Sequence, residues 1–251
     1  MPNHPSHPDP PTRIAMWSGP RNISTALLRS WGSRADTFVT DEPLYSCYLA
    51  TTGLVHPERD EIIAAYDSDW RRVVDWLTGP VPGGRPIWYQ KHMTHHMIPE
   101  VGREWISRLT NCFLIREPGA VILSYAKVRS EPTAEDLGFP QQSELFDLVR
   151  ETTGRVPPVV DSLDLLRDPE GLVRRLCAEV EVPFDPAMLS WRTGPRETDG
   201  VWARHWYANV ERSTGFGPPR ERSEPVPEAQ RGLYEVCLEH YERLAKHRLK
   251  A

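Results

Sequence analysis

The residues with the clearest chemical meaning stand at 13–31, "RIAMWSGPRNISTALLRSW". An apolar run, Ile14 to Trp17, breaks at Ser18-Gly19-Pro20-Arg21-Asn22, and Ser24-Thr25 then opens a second apolar-periodic segment. Strand, glycine turn and helix start in that order suit an anion, because the free N–H groups of a helix N-terminus point at it and Arg21 adds a charged fork. Laid over G-x-x-x-x-G-K-[ST] from Gly19, the second glycine falls on Ser24, the lysine on Thr25 and the magnesium-holding hydroxyl on Ala26. ATP chemistry usually bridges the outer phosphates with a metal, whereas a transferred sulfuryl group carries less charge and can be served by N–H groups and side-chain cations. The loop therefore points to a sulfuryl donor. The alternative is an ordinary helix after a strand, with Ser24 as its N-cap.

More polar residues follow three other β-prone runs. "DTFVTDEPLY" leads to Asp41 and Glu42, "PIWYQKHMTHH" to Lys91, His92, His95 and His96, and "NCFLIREP" to Arg116. In an open parallel sheet, ligands bind outside the carboxyl ends of the strands, so cations, a carboxylate and imidazoles converge on one edge. Either Glu42 or a histidine could take a proton from a bound hydroxyl. The i, i+3, i+4 spacing of His92, His95 and His96 would also suit zinc on a helix, but the segment begins as a strand and contains no H-E-x-x-H glutamate, so no metal site is expected.

The elements that must place these groups alternate. Strands are predicted at Ile14–Trp17, Thr37–Thr40, Pro86–Gln90, Cys112–Ile115 and Val159–Leu163, with helices over 24–33, 58–77, 99–109, 119–130, 168–180 and 227–249. Such alternation predicts an α/β fold on a parallel sheet. Residues 1–12, "MPNHPSHPDPPT", read as a disordered Pro-rich tail, 13–251 as one domain, and 191–226 as a long ordered loop or lid. The net charge of −5 offers no global positive field for nucleic acid or an anionic membrane. Cys47, Cys112, Cys177 and Cys237 are widely spaced and form no C-x-x-C, which suggests inert thiols in a reducing compartment. No apolar run nears the roughly 20 residues of a membrane span, and no signal peptide heads the chain, so a cytoplasmic location is expected.

Beyond these features, the chain resembles the sulfotransferases that use 3′-phosphoadenosine 5′-phosphosulfate (PAPS). "SGPRNISTALLRSW" is similar to their 5′-phosphosulfate loop, which implies that Arg21, Asn22, Ile23, Ser24 and Thr25 surround that group. "CFLIREPGAVILSYAK" resembles their 3′-phosphate motif, an Arg at a strand end with a Ser eight residues on, here Arg116 and Ser124. "VVDSLDLLRDPEGLVRRLCAEVEVPFDPAMLSW" is similar to a later family segment, although Asp161-Ser162-Leu163-Asp164 replaces its usual aromatic and acidic pair. Gly119-Ala120 stands where an Arg-Asp is common, which removes one cation from the 3′-phosphate clamp. Arg196, Trp202 and Arg204 are candidates for a loop closing over the nucleotide. The resemblance implies a three-layer, P-loop-like α/β sandwich, PAPS as co-substrate and a small-molecule acceptor. It also implies that Lys91 and Arg21 neutralise the leaving phosphate, with Glu42, His92 or His95 acting on the acceptor. A kinase on the same fold and a non-catalytic nucleotide-binding module are the competing readings.

Overall fold

The computed structural model describes residues 10–126, 131–219 and 221–251. In chain order they form β1 (Thr12–Ser18), α1 (Ser24–Gly32), β2 (Thr37–Asp41), α2 (Tyr45–Thr52), α3 (Arg59–Ala65), α4 (Trp70–Leu77), β3 (Ile87–Met93) and β4 (Thr110–Ile115). Then come α5 (Pro118–Tyr125), α6 (Phe139–Thr153), β5 (Val159–Asp161), α7 (Ser162–Arg167), α8 (Pro169–Glu179), α9 (Ala203–Trp206), α10 (Ala208–Glu211) and α11 (Arg231–Ala245). The sheet order is β2-β3-β1-β4-β5, and every pairing is parallel. After β1 the chain builds one side of the sheet and then crosses to the other, so the carboxyl end of β1 lies at the switch point where such sheets bind ligands.

Alternation along each strand divides the core in two. Ala15, Trp17, Trp88 and Phe113 pack with Val73, Val74, Leu145 and Phe146 on one face. Ile14, Met16, Tyr89 and Leu114 pack with Leu27, Trp31, Leu172 and Leu176 on the other. Helices thus cover both faces, giving the three-layer α/β sandwich expected from the resemblance. All four cysteines are buried and free.

Several boundaries differ from expectation for local reasons. Thr12, assigned to the tail, already belongs to β1, since its N–H donates to Pro86 O at 2.9 Å; residues 1–9 lie outside the described residues. The predicted helix 58–77 is two, because Tyr66 is extended and Asp69 accepts from Arg71 N at 3.0 Å to cap a fresh start. Within 99–109 there is only a 3₁₀ turn, Ile106–Arg108: the Arg103 guanidinium donates to the carbonyls of Met97, Ile98 and Val101 and folds the chain around itself. The helix expected over 119–130 is α5 in its described part, and 127–130 fall outside the described residues. β5 ends two residues early, at Asp161, whose carboxylate caps α7. Helices α2, α6 and α7 were not foreseen, and the 191–226 loop contains α9 and α10.

Candidate active site

The loop expected to bind the donor begins at the end of β1. Gly19 must be glycine, since a Cβ there would stand 2.4 Å from Leu137 O. Beyond it Arg21 and Ile23 take left-handed backbone angles, φ 64° and 58°, a conformation that turns successive N–H groups toward one concavity. The N-cap of α1 is Ile23, not Ser24, and no side chain caps the helix. Its first-turn N–H groups, from Ser24 and Thr25 onward, thus face the loop at the positive end of the dipole. Asn22 is buried; its amide donates to Leu114 O at 3.3 Å while Oδ1 has no partner among the described residues.

Residues from the other side of the sheet join this loop. Arg116, just past β4, donates to Arg21 O at 2.6 Å, and Arg21 Nε donates to Ser124 Oγ, in the last turn of α5, at 3.0 Å. The structure therefore brings together all seven residues expected around the donor. Beside them opens a cavity of about 370 Å³ bordered by Ile23, Arg116, Ala120, Leu163, Leu166 and Arg222.

A second cluster lies at the ends of β2 and β3, which run side by side with Asp41 opposite Lys91. Lys91 Nζ donates to Asp41 Oδ1 at 2.9 Å, Glu42 Oε1 at 2.7 Å and Tyr207 OH at 2.7 Å, using all three of its hydrogens. Tyr207 in turn donates to Asp41 Oδ2 at 2.6 Å and accepts from Trp202 Nε1 at 3.3 Å. Burial opposes the charge on Lys91, but the two carboxylates prevail and hold its ammonium well above its ordinary pKa. Burial likewise raises Glu42, with Lys91 opposing it in part. Glu42 has φ 41°, uncommon for a side-chain-bearing residue, and is fixed by a bond from its N–H to Lys91 O at 3.0 Å. Its side chain is 12% exposed against 2% for Lys91 and 1% for Asp41, so Glu42 is the carboxylate of the cluster that meets the outside.

The histidines separate. His92 follows Lys91 on a strand and so points to the opposite face, where it stacks on Trp17 at 4.4 Å and approaches Gln90 Oε1 at 3.2 Å. It is not brought to Glu42. His95 and His96 lie in a 3₁₀ turn, Thr94–His96, with the His96 ring between Tyr45 at 4.7 Å and Tyr48 at 4.9 Å. Neither ring nitrogen of His96, nor Nδ1 of His95, has a partner among the described residues. Burial pushes His92 and His95 down to about 3 and His96 well below the ordinary value, so all three are neutral at pH 7.

Residues 199–207 form a strap over the Lys91 cluster, anchored by a buried two-pronged pair from Arg29 to Asp199 at 2.5 and 2.7 Å. Its own candidates serve it locally. Arg196 donates to Gly194 O at 3.0 Å, Trp202 is buried against Tyr45 and Tyr66, and Arg204 pairs with Glu58 and Glu61. Tyr207 was missed by sequence reasoning; the only signal for it was its place in an aromatic-rich loop.

Three comparisons place this geometry among known proteins. Residues 12–248 match the family described as a sulfotransferase domain. In Arabidopsis thaliana, branched-chain-amino-acid aminotransferase-like protein 1 is 37% identical over 239 residues, covering 94% of this chain and 42% of that protein. Its counterpart, protein 2, is 35% identical over 236 residues, 93% of this chain and 41% of that protein, so the chain spans about two-fifths of these curated relatives. Among solved structures, the sulfotransferase domain from the curacin biosynthetic pathway superposes with TM-score 0.53 at 16% identity, covering 96% of this chain and 99% of the domain. The sulfotransferase domain of the Synechococcus PCC 7002 olefin synthase gives 0.52 at 20% identity, over 92% and 96%. The sulfotransferase from Alicyclobacillus acidocaldarius gives 0.54 at 11%, over 95% and 97%. These similarities show the shared P-loop-like α/β fold, and with the family match over nearly the whole chain, the protein belongs to the sulfotransferase-domain family.

Proposed function

We propose that the protein transfers a sulfuryl group from PAPS to a hydroxyl, or less readily an amine, of a small-molecule acceptor. The observation that carries this is the uncapped, lysine-free phosphate loop tied through Arg21 to Ser124 and through Arg116 to the end of β4. When bound, PAPS supplies an activated sulfuryl group on a phosphate leaving group. The N–H groups of Ser24 and Thr25 and the Arg21 fork suit its 5′ end, while Arg116 and Ser124 suit a 3′-phosphate. Ile23 lines the cavity beside Arg116.

Glu42 is our choice of general base. It is the partly exposed carboxylate of a buried cluster, and its raised pKa makes it a better proton acceptor than an ordinary glutamate. His92 faces the other side of the sheet, and His95 is too weakly basic at about 3 to compete, which leaves it an orienting role. Lys91, with every hydrogen engaged, holds Asp41 and Glu42 together in this geometry; neutralisation of the leaving phosphate then falls first to Arg21. A cytoplasmic location accords with four unpaired buried thiols. Labelled PAPS incubated with panels of alcohols, phenols, sugars and amines, with and without EDTA, should give labelled product in chelator; transfer from ATP with magnesium instead would identify a kinase.

A further inference from the structure

The space beside Gly119 is taken by a cation from elsewhere in the chain. A Cβ on Gly119 would lie 2.9 Å from Arg222 Nε and 3.0 Å from its Cδ, so the Arg222 stem occupies the space a side chain at 119 would need. Arg222 comes from the segment before α11, over a hundred residues later in sequence. Its Nε sits 3.3 Å from Glu117 Oε2, Nη1 donates to Glu224 O at 3.1 Å, and its guanidinium lies 5.7 Å from the Tyr234 ring centre. Arg222, Glu117 and Tyr234 border the cavity that Arg116, Ile23 and Leu163 also line.

Resting on the PAPS reading, we propose that Arg222 is a further anion-binding residue of the nucleotide site, completing with Arg116 the recognition of the 3′-phosphate, and that Gly119 is glycine to admit it. Glu117 is the resting partner of Arg222. Both Glu117 oxygens are held at the start of α5 by Gly119 N at 3.0 Å and Ala120 N at 2.8 Å, so the carboxylate stays put. With Glu117 tied to the start of α5, it is the guanidinium that turns on binding, exchanging one anion, Glu117, for a more highly charged one.

Calorimetric titration with adenosine 3′,5′-bisphosphate and with AMP tests this on the intact chain. Arg222→Ala should weaken the bisphosphate by ~10-fold, the loss of one charge-assisted contact, and AMP by less than ~2-fold. Arg222→Lys should recover part of the loss, since it keeps the charge without the fork. Gly119→Ala should weaken the bisphosphate comparably by displacing Arg222, and adding it to Arg222→Ala should cost nothing further, because the two act through one contact. Equal losses for both ligands, or additive losses in the double variant, would overturn the role of Arg222 while wild-type preference for the bisphosphate upheld the donor. A wild-type chain with no such preference would overturn the donor reading and this inference together.

Discussion

The two halves of the site, proposed to bind donor and acceptor, are built on opposite plans. Around the phosphate loop, helix N–H groups lack a side-chain acceptor, and the cations lean on carbonyls, a hydroxyl or a partly exposed carboxylate. Around Lys91, each hydrogen of the ammonium and both oxygens of Asp41 are used, all under a strap. Helix N–H groups left without an acceptor, beside guanidiniums, suit an anion as the proposed partner of the first arrangement. The second is complete without a ligand, which fixes Glu42 rigidly at the edge of a low-dielectric cluster. Unpaired donors distinguish the loop proposed to bind the donor, and saturation distinguishes the Lys91 cluster; the unpaired His95 and His96 nitrogens belong to neither arrangement.

The sharpest way to break this contrast is Lys91→Met. It leaves Asp41 and Glu42 buried together without their cation and should cost about 3 to 5 kcal/mol of stability, the size seen on removing one partner of a buried pair. Chemical denaturation measures it, and a loss under 1 kcal/mol would show the cluster to be loose. Next, Glu42→Gln should lower turnover by roughly 10²-fold or more with bisphosphate affinity near wild type. The acid limb of the wild-type rate profile should lie above the ordinary carboxylate pKa, because burial raises Glu42 and turnover fails as it protonates. A His95→Asn variant with the larger defect would move the base to the third strand's end.

On the donor side, Arg116→Ala should weaken adenosine 3′,5′-bisphosphate by about 1.5 to 3 kcal/mol and AMP little, leaving the melting temperature nearly unchanged. Equal weakening of both ligands would make Arg116 a loop-shaping residue through its bond to Arg21 O. A last effect concerns the imidazoles and shows only in acid. His92 and His95 titrate near 3 when folded and near 6.5 when not, so the unfolded chain takes up more protons below 6.5 and stability falls as pH drops through that range. Near pH 5 each should cost on the order of 2 kcal/mol, and His92→Gln should flatten the pH dependence of the unfolding free energy.

Much of the donor half was legible because its signals are local. An apolar run, a glycine turn and a helix start lie within 19 residues, and Arg116 and Ser124 flank one strand-to-helix turn. The acceptor half joins Asp41, Lys91 and Tyr207 across 166 positions of sequence, and no local pattern announces such a meeting. The separation of Lys91 from His92 was available: neighbours on a strand cannot share a face. Reading "QKHMTHH" as one polar cluster overlooked that period. Helix α6 escaped notice although Gly138 and Gly154, at φ 74° and 68°, bracket it and Leu145, Phe146 and Val149 make its apolar face.

The Arg29–Asp199 pair joins the two halves mechanically. Arg29 belongs to the last turn of α1, whose first turn faces the phosphate loop, and Asp199 begins the strap that carries Tyr207 to Lys91. Lifting the strap exposes a guanidinium and a carboxylate that are 2% and 4% accessible when paired, so it can part from α1 only against that coupling. Amide hydrogens of 199–207 and of α1 should therefore exchange as one cooperative unit, and an anion that quiets the helix start quiets the distant strap as well.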